Sequence, residues 1–387
     1  MKAFCKNIGD LFSQMDIFNF LRGIALLCVL GIHTVCVIFT TYPEIHYSTL
    51  FHTPAAMSMW MFFFLSGYLL GKGFYNGKYK TNKNGIIGFY ISRFVRIVPM
   101  YLLFIFILFL FYNPMWFLTH PKAVLRLLTF TYNGINPSGI TGIGALWFVS
   151  TIVQLYIFAP FVYKFILSKF NNKSNKLIFW GVVSVVVLGL SYRLIINFLK
   201  LSYADHCFSC SFANMDLFFG GMLLNAITMN SKDNKFKQVL RPISLITLFT
   251  LIILYIYDIY SFWVYSWICP TFILVSMLLI AYSFDFADKK MPAPITIVGI
   301  LKNPLRIIEY LGIISFTFYL YHSNIIEISM KIFKDASCPF KIDDIYLYRS
   351  TFILMFVLTF ILSVVVHYIL EMPCNTLRNR LLEKINK

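Results

Sequence analysis

Apolar stretches of roughly twenty residues recur along this chain, and that length is what a helix needs to cross the ~30 Å hydrocarbon core of a bilayer. The first, Ile17 to Phe39, reads IFNFLRGIALLCVLGIHTVCVIF. Ten such candidates fall at about 17–40, 54–71, 97–112, 144–168, 177–199, 212–230, 241–258, 262–284, 308–330 and 350–371. The third is short. Hydrophobic residues fill 59% of the 387 positions and charged ones 13%, more apolar surface than a water-soluble domain of this size can hide. The expected fold is an all-α integral membrane protein, a bundle of about ten transmembrane helices. No composition shift marks a separate soluble domain, so residues 1–387 read as a single polytopic membrane domain. The first stretch is too long for a signal-peptide core and lacks a small-residue cleavage site after it.

The net charge of +17 is distributed in a way that points to topology. With alternate loops assigned to one side, 24 basic residues fall on the side of the N-terminus and 8 on the other, with Arg22 inside the first span. That bias places both termini in the cytoplasm, and an even number of spans agrees. The basicity reads as topology and headgroup contact, and no nucleic-acid motif accompanies it.

Polar residues inside spans mark the working surface. Arg22 and His33 are 11 residues apart, which leaves a remainder of about 20° around a helix, so both project from one face, about 16 Å apart along the axis. Buried ionisable groups cost several kcal/mol unless they face protein or water, so the pair reads as a path from a membrane surface to a reactive centre. The plainer readings are a snorkelling anchor for Arg22 and a packed, hydrogen-bonded histidine for His33. Arg93 and Arg96, three apart in FYISRFVRIVP, point the same way and can grip phosphate or carboxylate, or hold an interfacial helix against anionic lipid. His322, in SFTFYLYHSNIIE, should lie in the outer half of its span, as His33 does. It reads as a proton relay or acceptor-positioning group, or as one member of a hydrogen-bonded set with Tyr319, Tyr321 and Ser323. Ser66, Gln154, Arg193, and His367 with Glu371 are weaker signals, with helix packing or capping the usual reading.

Several chemistries are excluded. The chain has no P-loop, dinucleotide fingerprint, HExxH or GxSxG elbow. Cys207 and Cys210, in the outward-facing DHCFSC, are either a local disulfide or two free thiols; with His206 they supply too few ligands for a closed metal site, and no metal is expected.

Taken in order, these pieces resemble the membrane-bound acyltransferase 3 family, over about 17–375. The resemblance rests on Arg22 and His33 at their spacing, FFFLSGY in the second span, and Arg93-x-x-Arg96 ahead of Val98-Pro99. It continues with Leu146-Trp147 opening the fourth span, SFTFYLYH ending at His322, and Glu371-x-Pro373 closing the last. Two departures stand out: Asn19 where many members carry Asp, and Ile152-Val153-Gln154 where the glycan O-acetylase branch carries Glu-Glu-Gln. The resemblance implies an O-acetyltransferase of the bacterial cytoplasmic (inner) membrane. Such an enzyme uses cytoplasmic acyl-CoA, acetyl-CoA above all, to acylate a hydroxyl of a cell-surface polysaccharide or its lipid-linked precursor. No permanently bound cofactor is expected; the expected partners are acyl-CoA, the glycan acceptor, membrane lipids and proteins of polysaccharide biosynthesis. In that reading His33 is the base, Arg22 steers the donor, His322 handles acceptor or proton, and Arg93 and Arg96 bind the CoA phosphates. The alternative is a transporter or flippase of a glycan intermediate.

Overall fold

A computed structural model of the chain describes residues 16–42, 53–112, 114–133, 143–170, 175–202, 204–230, 297–334 and 344–386, with isolated positions between 242 and 277. The expected spans 241–258 and 262–284 lie mostly outside these residues. Among the described residues all regular structure is helical. The longer helices are α1 (Ile17–Thr41), α2 (Ala55–Tyr75), α3 (Lys83–Ile107), α4 (Trp147–Phe165), α5 (Asn175–Phe198), α6 (Met215–Asn230), α7 (Ser315–Lys334), α8 (Asp344–Val366) and α9 (Met372–Asn386).

Five stretches among them are long and apolar enough to cross a membrane: Ile17–Thr41, Lys83–Phe111, Gly144–Phe165, Trp180–Phe198 and Ile345–Ile385. Leu188, Ile195, Ile353 and Ile361 on these helices are exposed, as a surface solvated by lipid tails requires. Three expectations shift. The short third candidate is the second half of a longer helix: α3 starts at Lys83, where the Asn82 side chain accepts from Gly85 N at 2.9 Å and caps it. The candidate at 308–330 is broken into Arg306–Ile313 and α7. Near the end of the first piece a Cβ on Gly312 would sit 1.7 Å from the Asn19 carbonyl oxygen, so that turn is pressed against α1 before the chain turns into α7. The tenth candidate runs through a π-helical turn at His367–Glu371 into α9.

The chain forms two compact units interleaved in sequence. Residues 1–25, 56–81 and 154–312 make the first, and residues 26–55, 82–153 and 313–387 the second. In the first unit α2 and α6 approach through small residues. A Cβ on Gly67 would meet the Phe218 carbonyl at 1.9 Å, and Gly221 faces the Phe64 carbonyl. Close backbones of this kind replace the hydrophobic drive that lipid cannot supply. Asn225 Nδ2 donates to the Tyr68 carbonyl at 3.0 Å across the same contact. Asp16 caps α1, its Oδ1 accepting from Phe18 N at 2.9 Å, while its own amide donates to Glu309 Oε1 at 3.0 Å. In the second unit α7 pairs with α8, and α9 packs along α3. Val35, Ile38, Met330, Leu347 and Tyr348 form a buried cluster there.

Candidate active site

The second unit holds the centre. His33 on α1 and His322 on α7 meet with Nδ1 of the first 2.6 Å from Nε2 of the second. Their rings lie within 20° of parallel with centroids 4.9 Å apart, the separation of two rings joined edge to edge through those nitrogens rather than stacked face on face. On its other side His322 Nδ1 is 2.6 Å from the Tyr319 carbonyl oxygen, and Ser323 Oγ is 3.1 Å from its Nε2. A carbonyl oxygen only accepts, so Nδ1 of His322 carries the proton and Nε2 is its lone-pair nitrogen. That makes Nδ1 of His33 the donor in the pair. In the neutral dyad, His33 Nε2 is therefore the basic nitrogen. A histidine oriented by a bond to its other nitrogen is the general-base arrangement of nucleophilic hydrolases and transferases.

Each partner is itself held. Tyr319 donates its hydroxyl to the Ala145 carbonyl at 2.7 Å, in the tight turn Gly144–Leu146 that opens α4, and Phe148 packs edge-on against its ring. His322 is fully buried and His33 half-buried. One residue before His33, the Thr53 hydroxyl accepts from Ile32 N at 3.0 Å and donates to the Cys28 carbonyl. Thr53 thus bridges an amide and a carbonyl one turn apart on α1, beside His33.

Arg93 and Arg96 lie in the same unit on α3, both half-buried. The Arg93 guanidinium sits 5.9 Å from the Phe89 ring centre and contacts Ser92 Oγ at 3.5 Å. Arg22 falls in the first unit, half-buried on the part of α1 where Gly23 presses against the Ile308 backbone. Residues 15–370 match the family described as an acyltransferase domain. The chain belongs to the acyltransferase 3 family. No curated protein and no solved structure matches it.

Two other in-span polar groups of this acyltransferase, Arg193 and His367, are paired with carboxylates. Arg193 donates to both Asp216 carboxylate oxygens at 2.8 and 2.7 Å, to the Ala213 carbonyl and to Thr271, and both charged side chains are buried. His367 Nδ1 meets Glu371 Oε2 at 2.8 Å within the π turn. Cys207 and Cys210 are free thiols, in a loop that Asn214 holds by donating to the Phe208 and Cys210 carbonyls. Burial pushes the Cys207 thiol up to about 12 despite the nearby Arg193. Sequence reasoning missed the Tyr319 carbonyl, the Ala145 carbonyl and Thr53. Main-chain acceptors leave no mark in residue identity, and Thr53 is one unremarkable threonine between spans.

Proposed function

We propose that this membrane acyltransferase takes an acetyl group from acetyl-CoA on the cytoplasmic side and transfers it to a hydroxyl of a surface polysaccharide or its lipid-linked precursor. The setting is a bacterial cytoplasmic membrane, crossed about ten times with both termini inside. Family membership supports the reaction class, and the His33–His322 contact at 2.6 Å carries the mechanism. His33 Nε2 takes the proton of the acceptor hydroxyl as its oxygen attacks the thioester carbonyl. The carbon–sulfur bond then breaks, the CoA thiolate takes that proton from His33, and the acyl ester remains on the acceptor. While His33 is protonated, its Nδ1–H donates to His322 Nε2, and the Tyr319 carbonyl holds His322 in the tautomer that can receive it. Arg93 and Arg96 bind the 3′-phosphate and pyrophosphate of CoA by charge-assisted bonds. Arg22, eleven residues before His33 on α1, steers the anionic donor.

Membrane vesicles given radiolabelled acetyl-CoA and a glycan acceptor test this. Label should pass to glycan in wild-type vesicles and fall to background with His33→Ala at normal expression. Undiminished transfer by that variant removes His33 from the mechanism. Glycan flux without any label transfer would support the transporter reading instead.

A further inference from the structure

Three hydroxyls on α7 are buried without a hydrogen-bond partner among the described residues: Ser329 Oγ lies toward the end of the helix, and the pair in its first half is Thr317 Oγ1 and Tyr321 OH. Both residues are almost fully enclosed, at 0% and 4% exposure. A buried hydroxyl left unmet is costly, and native proteins keep few of them, so each calls for an explanation. Thr317 and Tyr321 are four residues apart and share a helix face, about 6 Å from one to the other along the axis. Thr317 does not bond back to its own helix as threonines in helices commonly do.

Their place in the second unit explains them. The Tyr321 ring stands edge-on to Phe104 of α3, with centroids 5.2 Å apart and planes at 85°. Phe104 is 11 residues beyond Arg93, so the two share one face of α3 and stand about 16 Å apart along it. The face of α3 that carries Arg93 is thus the face that meets α7 at Tyr321. The next residue on α7 is His322, bonded to His33. From Arg93 the order along this contact is cationic end, two unmatched donors, then the base.

We propose that the Thr317 and Tyr321 hydroxyls bind the two amide carbonyls of the pantetheine arm of acyl-CoA along the contact between α3 and α7. The proposal rests on the acyl-CoA reading above and adds to it the residues that hold the arm. In acyl-CoA the pantetheine arm is an extended chain of comparable length, joined to phosphate at one end and to the thioester at the other, with two secondary amides one β-alanine unit apart between them. Thr317, nearer the start of α7, takes the amide nearer the phosphates. Tyr321 takes the amide nearer the sulfur, which places the thioester beside His322 and His33.

The test measures inhibition of transfer from acetyl-CoA in vesicles bearing the full chain, by CoA, by pantetheine and by 3′-phospho-ADP, which lacks the arm. Tyr321→Phe and Thr317→Val should each raise the inhibition constants of CoA and pantetheine about tenfold, the worth of one ligand hydrogen bond. They should leave that of 3′-phospho-ADP unchanged, and Thr317→Ser should behave as wild type. Arg93→Ala should give the opposite pattern, weakening CoA and 3′-phospho-ADP but sparing pantetheine. Unchanged inhibition by CoA in Tyr321→Phe overturns the proposal, as does equal weakening of the armless nucleotide. If the wild-type protein takes no acyl group from acetyl-CoA, the donor reading itself falls, and this one falls with it.

Discussion

Truncating His322 tests the dyad more sharply than truncating His33. His322→Ala leaves His33 in place but removes the acceptor of its Nδ1–H, a bond of 2.6 Å that strengthens as His33 takes on charge. A hydrogen bond to a charged group contributes about 1.5–3 kcal/mol, so kcat should fall about 10- to 150-fold. His33→Ala removes the base itself and should cost about 10²- to 10⁴-fold. If the two residues acted independently, mid-range losses of about 40 and about 10³ would multiply to about 4 × 10⁴ in the double variant. In the dyad, His322 has nothing to orient once His33 is gone, and the double variant should stay near the His33→Ala value of about 10³. Single-turnover transfer of label from acetyl-CoA, in vesicles matched for protein content, measures all three. Losses that multiply would refute the dyad.

Other outcomes follow from packing and burial. Arg193→Met strands the Asp216 carboxylate and should cost about 3–5 kcal/mol, seen as a lowered thermal midpoint in detergent, with much of it restored by adding Asp216→Leu. Gly312→Ala drives a methyl against the Asn19 carbonyl and should sharply reduce the monodisperse fraction in size-exclusion chromatography. Only the thiolate of Cys207 reacts with maleimide, and its raised pKa keeps that fraction small at neutral pH. Its labelling rate in the folded protein should therefore keep rising about tenfold per pH unit to pH 10, whereas in the unfolded chain it levels off above about pH 8.5.

The sequence exposed individual groups better than their partnerships. Hydropathy placed α1, α4 and α5 within a few residues, because a bilayer imposes one length on every span. It mistook the start of α3, since Lys83 to Arg96 is too polar to read as membrane helix and its cap is a single asparagine. It also ran through the break at Ile314, which no proline marks in the sequence. At the site, His33, His322, Arg93 and Arg96 stood out as ionisable groups in apolar surroundings. Which of them touch was not legible, because helical periodicity describes each helix's faces and not which faces meet. Of the hydrogen-bonded set expected around His322, Ser323 meets its Nε2 and Tyr319 serves through its main-chain carbonyl, while the Tyr321 hydroxyl has no partner among the described residues.

The dyad also imposes a schedule on biosynthesis. Its two histidines are 289 residues apart, so at a synthesis rate of about 5–20 residues per second the α1 histidine waits about 15–60 s for its mate to leave the ribosome. Through that interval α1 is a helix carrying an unmatched imidazole and a guanidinium. Its residence in lipid has to be supported by water, by the insertion machinery or by the earlier helices of the same chain. A chain stalled or cleaved before residue 315 never acquires the partner of His33. Completion of α7 is what supplies the His33 imidazole with its mate.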